Sequence, residues 1–183
     1  MRTTETSVAT QVYRVYIKAT PQAIWDAITT PEWTVRYGFC GRAEYELRPG
    51  GLYRVPTTED MKRAGAKMGL SVPDVMVDGE VIEVDPPRRL VQTFRMLMDE
   101  ATAAEGFTRL TWEIDELPGG VSKLTVVHEL EGKPQLAALS AGERESEGAG
   151  GGWSYVLSDL KTLLETGSSM GSLMAPSTGP DHR

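Results

Sequence analysis

The chain has 183 residues, 40% hydrophobic and 25% charged, with a formal net charge of −7. That size and balance suit one folded domain with a substantial core, and the acidic total, with no basic stripe, argues against nucleic acid as a partner. No apolar run approaches the roughly 20 residues of a membrane-crossing helix, the N-terminal M-R-T-T-E-T-S lacks a signal-peptide core, and the single Cys40 cannot form an internal disulfide; a cytoplasmic protein without membrane association is expected.

Residues 1–8 are polar, and the domain is expected to start after a flexible N-terminus, 1–10. From Val12 to Lys18, Tyr13, Val15 and Ile17 alternate with Arg14, Tyr16 and Lys18, which predicts a strand with one buried face. Thr20-Pro21 is a helix start, N-cap then proline, and Ala23–Ile28 is a short apolar helix. Thr30-Pro31 repeats the signal, with Glu32 where the helix dipole favours an acid, and predicts a second helix around 31–37 carrying Trp33 and Tyr37. Arg42–Leu47 and Leu52–Val55 read as strands across the turn Pro49-Gly50-Gly51. Residues 57–70 read as a short, poorly capped helix interrupted by Gly65.

Further along, Val75–Val84 and Leu90–Met96 are strands joined at Asp85-Pro86-Pro87. Residues 99–106 are an Ala- and Glu-rich connection. Thr108–Glu116 and Val121–Glu131 form a hairpin across Leu117-Pro118-Gly119-Gly120, and 132–151 is a long acidic, Gly-rich connection. The last ordered segment is the most informative. Trp153, Val156, Leu157, Leu160 and Leu164 lie on one helical face, and Gly167 stands where a C′ glycine ends a helix. The tail 168–183 lacks periodicity and reads as disordered. Strands in a run with helices at the ends indicate an α+β fold, and a long terminal helix must bury its apolar face on the sheet.

Several segments together resemble the START-like (SRPBCC) helix-grip superfamily, and more closely the bacterial homologues of the C-terminal domain of the heat-shock-protein-90 ATPase activator. They are A-T-P-Q-A-I-W-D-A-I-T-T-P-E-W at 19–33, L-R-P-G-G-L-Y-R-V at 47–55 and D-G-E-V-I-E-V-D-P-P-R-R-L-V-Q-T-F at 78–94. R-L-T-W-E-I at 109–114, S-K-L-T-V-V-H-E-L at 122–130 and G-G-W-S-Y-V-L-S-D-L-K-T-L-L-E at 151–165 complete the series. The resemblance implies a domain over 11–167: a curved antiparallel sheet of about six or seven strands around a long C-terminal helix, two short helices after the first strand, and an elongated cavity between sheet and helix. Relatives bind small hydrophobic molecules, and some are cyclases or hydrolases. Two departures, the long segments 56–74 and 132–151, both stand where they can border the cavity mouth. Chaperone activation is not implied, since the activator uses an additional N-terminal domain that this sequence does not supply.

The binding expectation places Trp33, Tyr37, Met61, Met68, Met96, Trp112, His128 and Tyr155 around the ligand. Alternation puts His128 on the face of Leu124, Val126 and Leu130, where it either meets a ligand or shuttles a proton, or is a buried histidine satisfied by protein partners. Trp112 either packs on the terminal helix or forms the cavity wall. Glu113 and Asp115 point outward. Asp78 and Glu80 share a strand face and are either an acid–base or metal-binding pair or a solvated strand edge. Met61, Met68, Met76, Met96 and Met98 either line a forgiving pocket under a mobile lid, 57–72, or fill a loosely packed insertion. Cys40 reads as a packed or incidental thiol rather than a nucleophile. No spacing of metal ligands, nucleophile elbow or nucleotide-binding loop occurs, so neither a metal nor a cofactor is expected. The expected function is binding of a small hydrophobic molecule by a monomer or homodimer. The alternatives are a cyclase- or hydrolase-like enzyme using the same cavity, with His128 as the catalytic residue, and a protein-interaction or co-chaperone-like domain.

Overall fold

The alternating segment at the start forms β1 (Thr10–Ile17), with Tyr13, Val15 and Ile17 turned inward as the pattern predicts. β1 lies at one edge of a seven-stranded sheet in the computed structural model, which describes residues 10–39, 41–147 and 150–171. Thr10, the last residue of the expected flexible N-terminus, is already paired with Glu129. Cys40, residues 1–9 and the tail from 172 lie outside the described residues. Of the expected tail, 168–171 are described: Ser169 is buried, and the Met170 amide donates to Asp159 Oδ1 at 2.6 Å.

The other strands are β2 (Glu44–Tyr45), β3 (Leu52–Pro56), β4 (Val75–Asp85), β5 (Arg89–Met96), β6 (Thr108–Leu117) and β7 (Val121–Glu129). Their order is β1-β7-β6-β5-β4-β3-β2, and every neighbouring pair is antiparallel. The β4–β5 register shifts between Val81 and Glu83, an irregularity that increases local twist. Gly79 lets β4 come close to β5: a Cβ there would stand 2.0 Å from the Thr93 carbonyl oxygen. β2 is shorter than the expected 42–47. The turn already begins at Glu46, whose carbonyl accepts from Arg48 N, and a Cβ on Gly51 would meet that oxygen at 1.9 Å.

The helix α6 (Gly152–Thr166) packs on the concave face. Leu157, Leu160 and Leu163 are buried, and Trp153, Val156 and Leu164 pack against the same core. Each buried leucine contributes about 1.5–3 kcal/mol relative to exposure. Gly167 ends the helix at φ 83°, and its amide caps the Leu163 carbonyl. Helix α1 (Pro21–Thr29) starts as predicted, with Thr20 Oγ1 accepting from Ala23 N, and buries Ile24, Trp25, Ala27 and Ile28.

The remaining helices differ from expectation. Helix α2 (Pro31–Thr34) is a single turn rather than 31–37, because the Thr34 hydroxyl turns to accept from Ala43 N and Gly38 follows at φ 62°. Helix α3 (Glu59–Lys67) is well capped. Thr58 Oγ1 accepts from Met61 N, and Glu59 and Asp60 occupy the first turn. Gly65 is a packing position and not an interruption, since a Cβ there would stand 2.2 Å from Val72 Cγ2. The two expected connections contain α4 (Glu100–Ala104) and α5 (Pro134–Ser140). The free amides of Gln135 and Leu136 at the start of α5 are taken by the Glu105 carboxylate at 2.7 and 2.9 Å.

Candidate functional site

Between the concave sheet and α6 lies a cavity of ≈ 750 Å³. Its wall is built from inward positions of the strands and one side of α6, together with the loop 37–39 and helices α3 and α5. Tyr45, Tyr53, Val77, Phe94 and Trp112 come from the sheet, and Trp153, Tyr155 and Val156 from α6. The methionines on it are Met61, Met76, Met96 and Met98. The lining is thus chiefly aromatic and thioether surface, which accommodates flat or irregular apolar molecules.

Of the residues expected around a ligand, Tyr37, Met61, Met96, Trp112 and Tyr155 line this cavity. Trp33, Met68 and His128 are not on the wall. The Trp33 ring lies under the Arg36 guanidinium, 4.7 Å from its centroid. Met68 follows the last residue of α3 and is 74% exposed, because α3 turns Met61 and not its C-terminal end toward the interior. His128 is wholly buried behind the wall residues Phe94 and Trp153, with ring centroids 5.3 and 6.0 Å away. Trp112 fulfils both of its readings, lining the cavity while meeting Trp153 edge-on at 5.3 Å.

The His128 surroundings define its protonation. Trp153 Nε1 donates to Nδ1 at 3.2 Å, so Nε2 carries the proton and donates to Thr108 Oγ1 at 2.7 Å. The Thr108 hydroxyl in turn donates to the Phe94 carbonyl at 3.1 Å. Every polar atom of the chain indole–imidazole–hydroxyl–carbonyl is satisfied with the imidazole neutral. Desolvation holds the pKa down at about 4. With both nitrogens engaged inside the protein, the ring works as a fastener between α6 and the sheet.

Polar groups on the wall are few. Tyr37 donates its hydroxyl to the Ala27 carbonyl at 2.8 Å, and burial pushes its pKa upward. Tyr45 and Tyr53 stack at 4.6 Å, the Tyr45 hydroxyl donates to Gln92 Oε1 at 2.8 Å, and burial raises both phenols well above their usual range. Asp99 and Arg144, 3.5 Å apart, sit on another part of the wall with Glu145, and Arg144 also pairs with Glu147 at 3.0 Å. The loop that carries Gly38 and Phe39 is pinned from α6 by a buried carboxylate: Asp159 Oδ2 accepts from Gly38 N at 2.8 Å.

The carboxylates weighed from sequence lie elsewhere. Asp78 forms a two-point pair with Arg95 on the neighbouring strand, at 2.9 and 2.6 Å. This replaces the reading of a strand edge, since β4 has neighbours on both sides. Glu113 pairs with Arg89, and Asp115 with Lys123 at 3.1 Å, as outward cross-strand pairs. Among the described residues no group of three or more His, Cys, Asp or Glu is arranged to hold a metal ion, and no helix is long and apolar enough to cross a membrane.

Sequence reasoning missed Tyr45, Tyr53, Phe94 and the α5 residues Leu136 and Leu139. For Tyr45 and Tyr53 a signal existed, since both sit in predicted strands at alternate positions. For α5, Pro134 followed by Leu136 and Leu139 was the available cue.

Protein MLL2253 from Mesorhizobium loti superposes with a TM-score of 0.60 at 19% identity, covering 85% of this chain and 96% of that one. The Aha1 dimer from Colwellia psychrerythraea gives a TM-score of 0.57 at 16% identity, over 86% and 97% of the two chains. CalU16 from Micromonospora echinospora gives 0.56 at 16% identity, over 90% and 79%. At these identities the likeness is one of fold. Curated protein sequences give no match. The sequence profile described as Activator of Hsp90 ATPase homolog 1-like protein matches residues 18–165, which is most of the domain, and the chain belongs to that family.

Proposed function

We propose that this domain binds a small, largely apolar molecule in the cavity between the sheet and α6. The observation that carries the reading is the wall: ≈ 750 Å³ lined chiefly by aromatic and methionine side chains, with few polar groups, among them the paired hydroxyls of Tyr37 and Tyr45. A volume and lining of this kind are those of small-molecule pockets. The binding residues of this reading are Tyr37, Met61, Met96, Trp112 and Tyr155, joined by Tyr45, Tyr53 and Trp153. His128 supports them from behind. Segment 57–72 acts as a lid through Met61, and the protein works in the cytoplasm as a monomer or homodimer.

Catalysis in this cavity is a weaker reading, because the imidazole that would shuttle a proton is committed at both nitrogens. Native mass spectrometry of protein purified without denaturation tests the binding reading and reports the oligomeric state. A co-purified or added apolar compound should remain on the wild-type protein and be lost from Trp112→Ala. Retention by that variant equal to wild type would place the compound outside the cavity and refute the reading.

A further inference from the structure

Beside the cavity lies a buried polar corner that the apolar wall does not explain. Gln92 lies on the concave face of β5, at the same parity as the wall residues Phe94 and Met96. It is wholly buried, and its Nε2 has no acceptor among the described residues. Trp112 on β6 is in register with Leu90 and therefore diagonal to Gln92, within reach of a long side chain. Its Nε1 is also buried without an acceptor. These are the two buried side-chain polar atoms without a partner among the described residues, and both are N–H donors. Such a donor is costly while it stays unpaired, and native interiors seldom keep one without a reason.

Each donor stands close to the cavity. Trp112 is part of the wall, and Gln92 is attached to the wall through the hydroxyl of Tyr45, a half-buried ring. The Tyr45 hydroxyl occupies Gln92 Oε1, so the hydrogens left over on the amide are those of Nε2. Tyr45 and Tyr53 are kept neutral by burial, so the corner offers hydrogens and no charge.

Resting on the binding reading above, we infer that the Gln92–Trp112 corner receives a hydrogen-bond acceptor, and that the ligand is a neutral, flat, apolar molecule with a carbonyl oxygen at its inner end. A carboxylate ligand would find no cation there; Arg144, on the wall, is already held between Asp99 and Glu147.

Three tricyclic probes of nearly the same shape test this: fluorene has no polar atom, 9-fluorenone adds an acceptor, and carbazole adds a donor. Titrations followed by tryptophan fluorescence should show 9-fluorenone binding about 3- to 10-fold tighter than fluorene, the equivalent of one hydrogen bond, with carbazole no tighter than fluorene. In protein labelled at the indole nitrogens, the signal absent from Trp112→Phe should move downfield with 9-fluorenone and not with fluorene. Gln92→Met, checked for an unchanged melting transition, should bring 9-fluorenone to the level of fluorene while fluorene affinity stays within about twofold. Equal affinity for fluorene and 9-fluorenone in the wild type, or a preference for carbazole, would overturn the inference while leaving the cavity as a binding site. Binding of none of the three would overturn the apolar-ligand reading itself, and this inference with it.

Discussion

The two sides of the cavity are built from different materials. On the α6 side, Trp153 is fixed by a continuous chain of hydrogen bonds through His128 and Thr108 to the Phe94 carbonyl, and the helix beneath it buries three leucines. On the α3 side, Met61 reaches the wall from a nine-residue helix whose buried residue is Gly65, and Met68 and Leu70 just beyond it are 74% and 59% exposed. A helix that buries so little derives most of its order from caps and local pairs, which belong to the low end of stability. The contrast separates a wall anchored in the core from a wall held mainly by local contacts.

The largest effect should come from the rigid side. Leu160 is fully buried in α6, and Leu160→Ala should lower unfolding free energy by about 2–5 kcal/mol, measured by urea titration. If α3 substitutions prove equally damaging to global stability, the two walls do not differ in the way described.

Acid comes next. His128 is held at about pKa 4 against 6.5 in the unfolded chain. Between those values the unfolded state binds a proton that the folded state refuses, so stability falls as pH falls from 6.5 toward 4. The loss should reach about 3 kcal/mol at the lower end. His128→Gln should flatten the slope between pH 6.5 and 4.5, a window that lies above the depressed carboxyls Asp74 and Glu165. A slope unchanged in that variant would detach the acid response from the imidazole.

Smaller and more local is the effect expected at Gly65. An added Cβ would stand 2.2 Å from Val72 Cγ2, so Gly65→Ala should push α3 off the 70–73 segment. The global melting transition should move little, while amide exchange over 59–72 should become faster than in the wild type. In the wild type that exchange should already outpace α6 and slow when a ligand is bound. Equal protection of α3 and α6 in ligand-free protein would remove the lid. The least effect belongs to Met68→Lys, which should change stability by no more than about 0.5 kcal/mol and leave probe affinity untouched, because the side chain faces solvent.

How much of this was legible in the sequence follows from where each signal resides. β1, α1 and α6 were readable because period and cap lie within one segment: Thr20-Pro21 opens α1, and Gly167 closes α6. The α5 cap is Glu105, some thirty residues upstream, and no local pattern announces a partner at that distance. Gly65 has the composition of a helix breaker, and only the position of Val72 gives the reason for it. In the site, alternation correctly placed Trp112 and His128 on the concave face. It could not tell which of them reaches the cavity, since that depends on Trp153 crossing over the imidazole from another element. Gln92 shares the parity of Leu90, Phe94 and Met96 in the sequence, but a polar residue in a strand reads as solvent-facing until its neighbours are known.

The Glu105 carboxylate also bears on how this domain can be re-engineered. It lies just beyond α4, takes the first free amides of α5, and its carbonyl accepts from Lys133. Two segments that look like separate variable loops are therefore one clasp. A graft that exchanges 132–147 for the loop of another family member, while keeping the native 99–106, would bring a helix without its anion. Modular exchange should succeed when both pieces travel together, with cut points at the end of β5, the start of β6, the end of β7 and the start of α6, and not inside either loop.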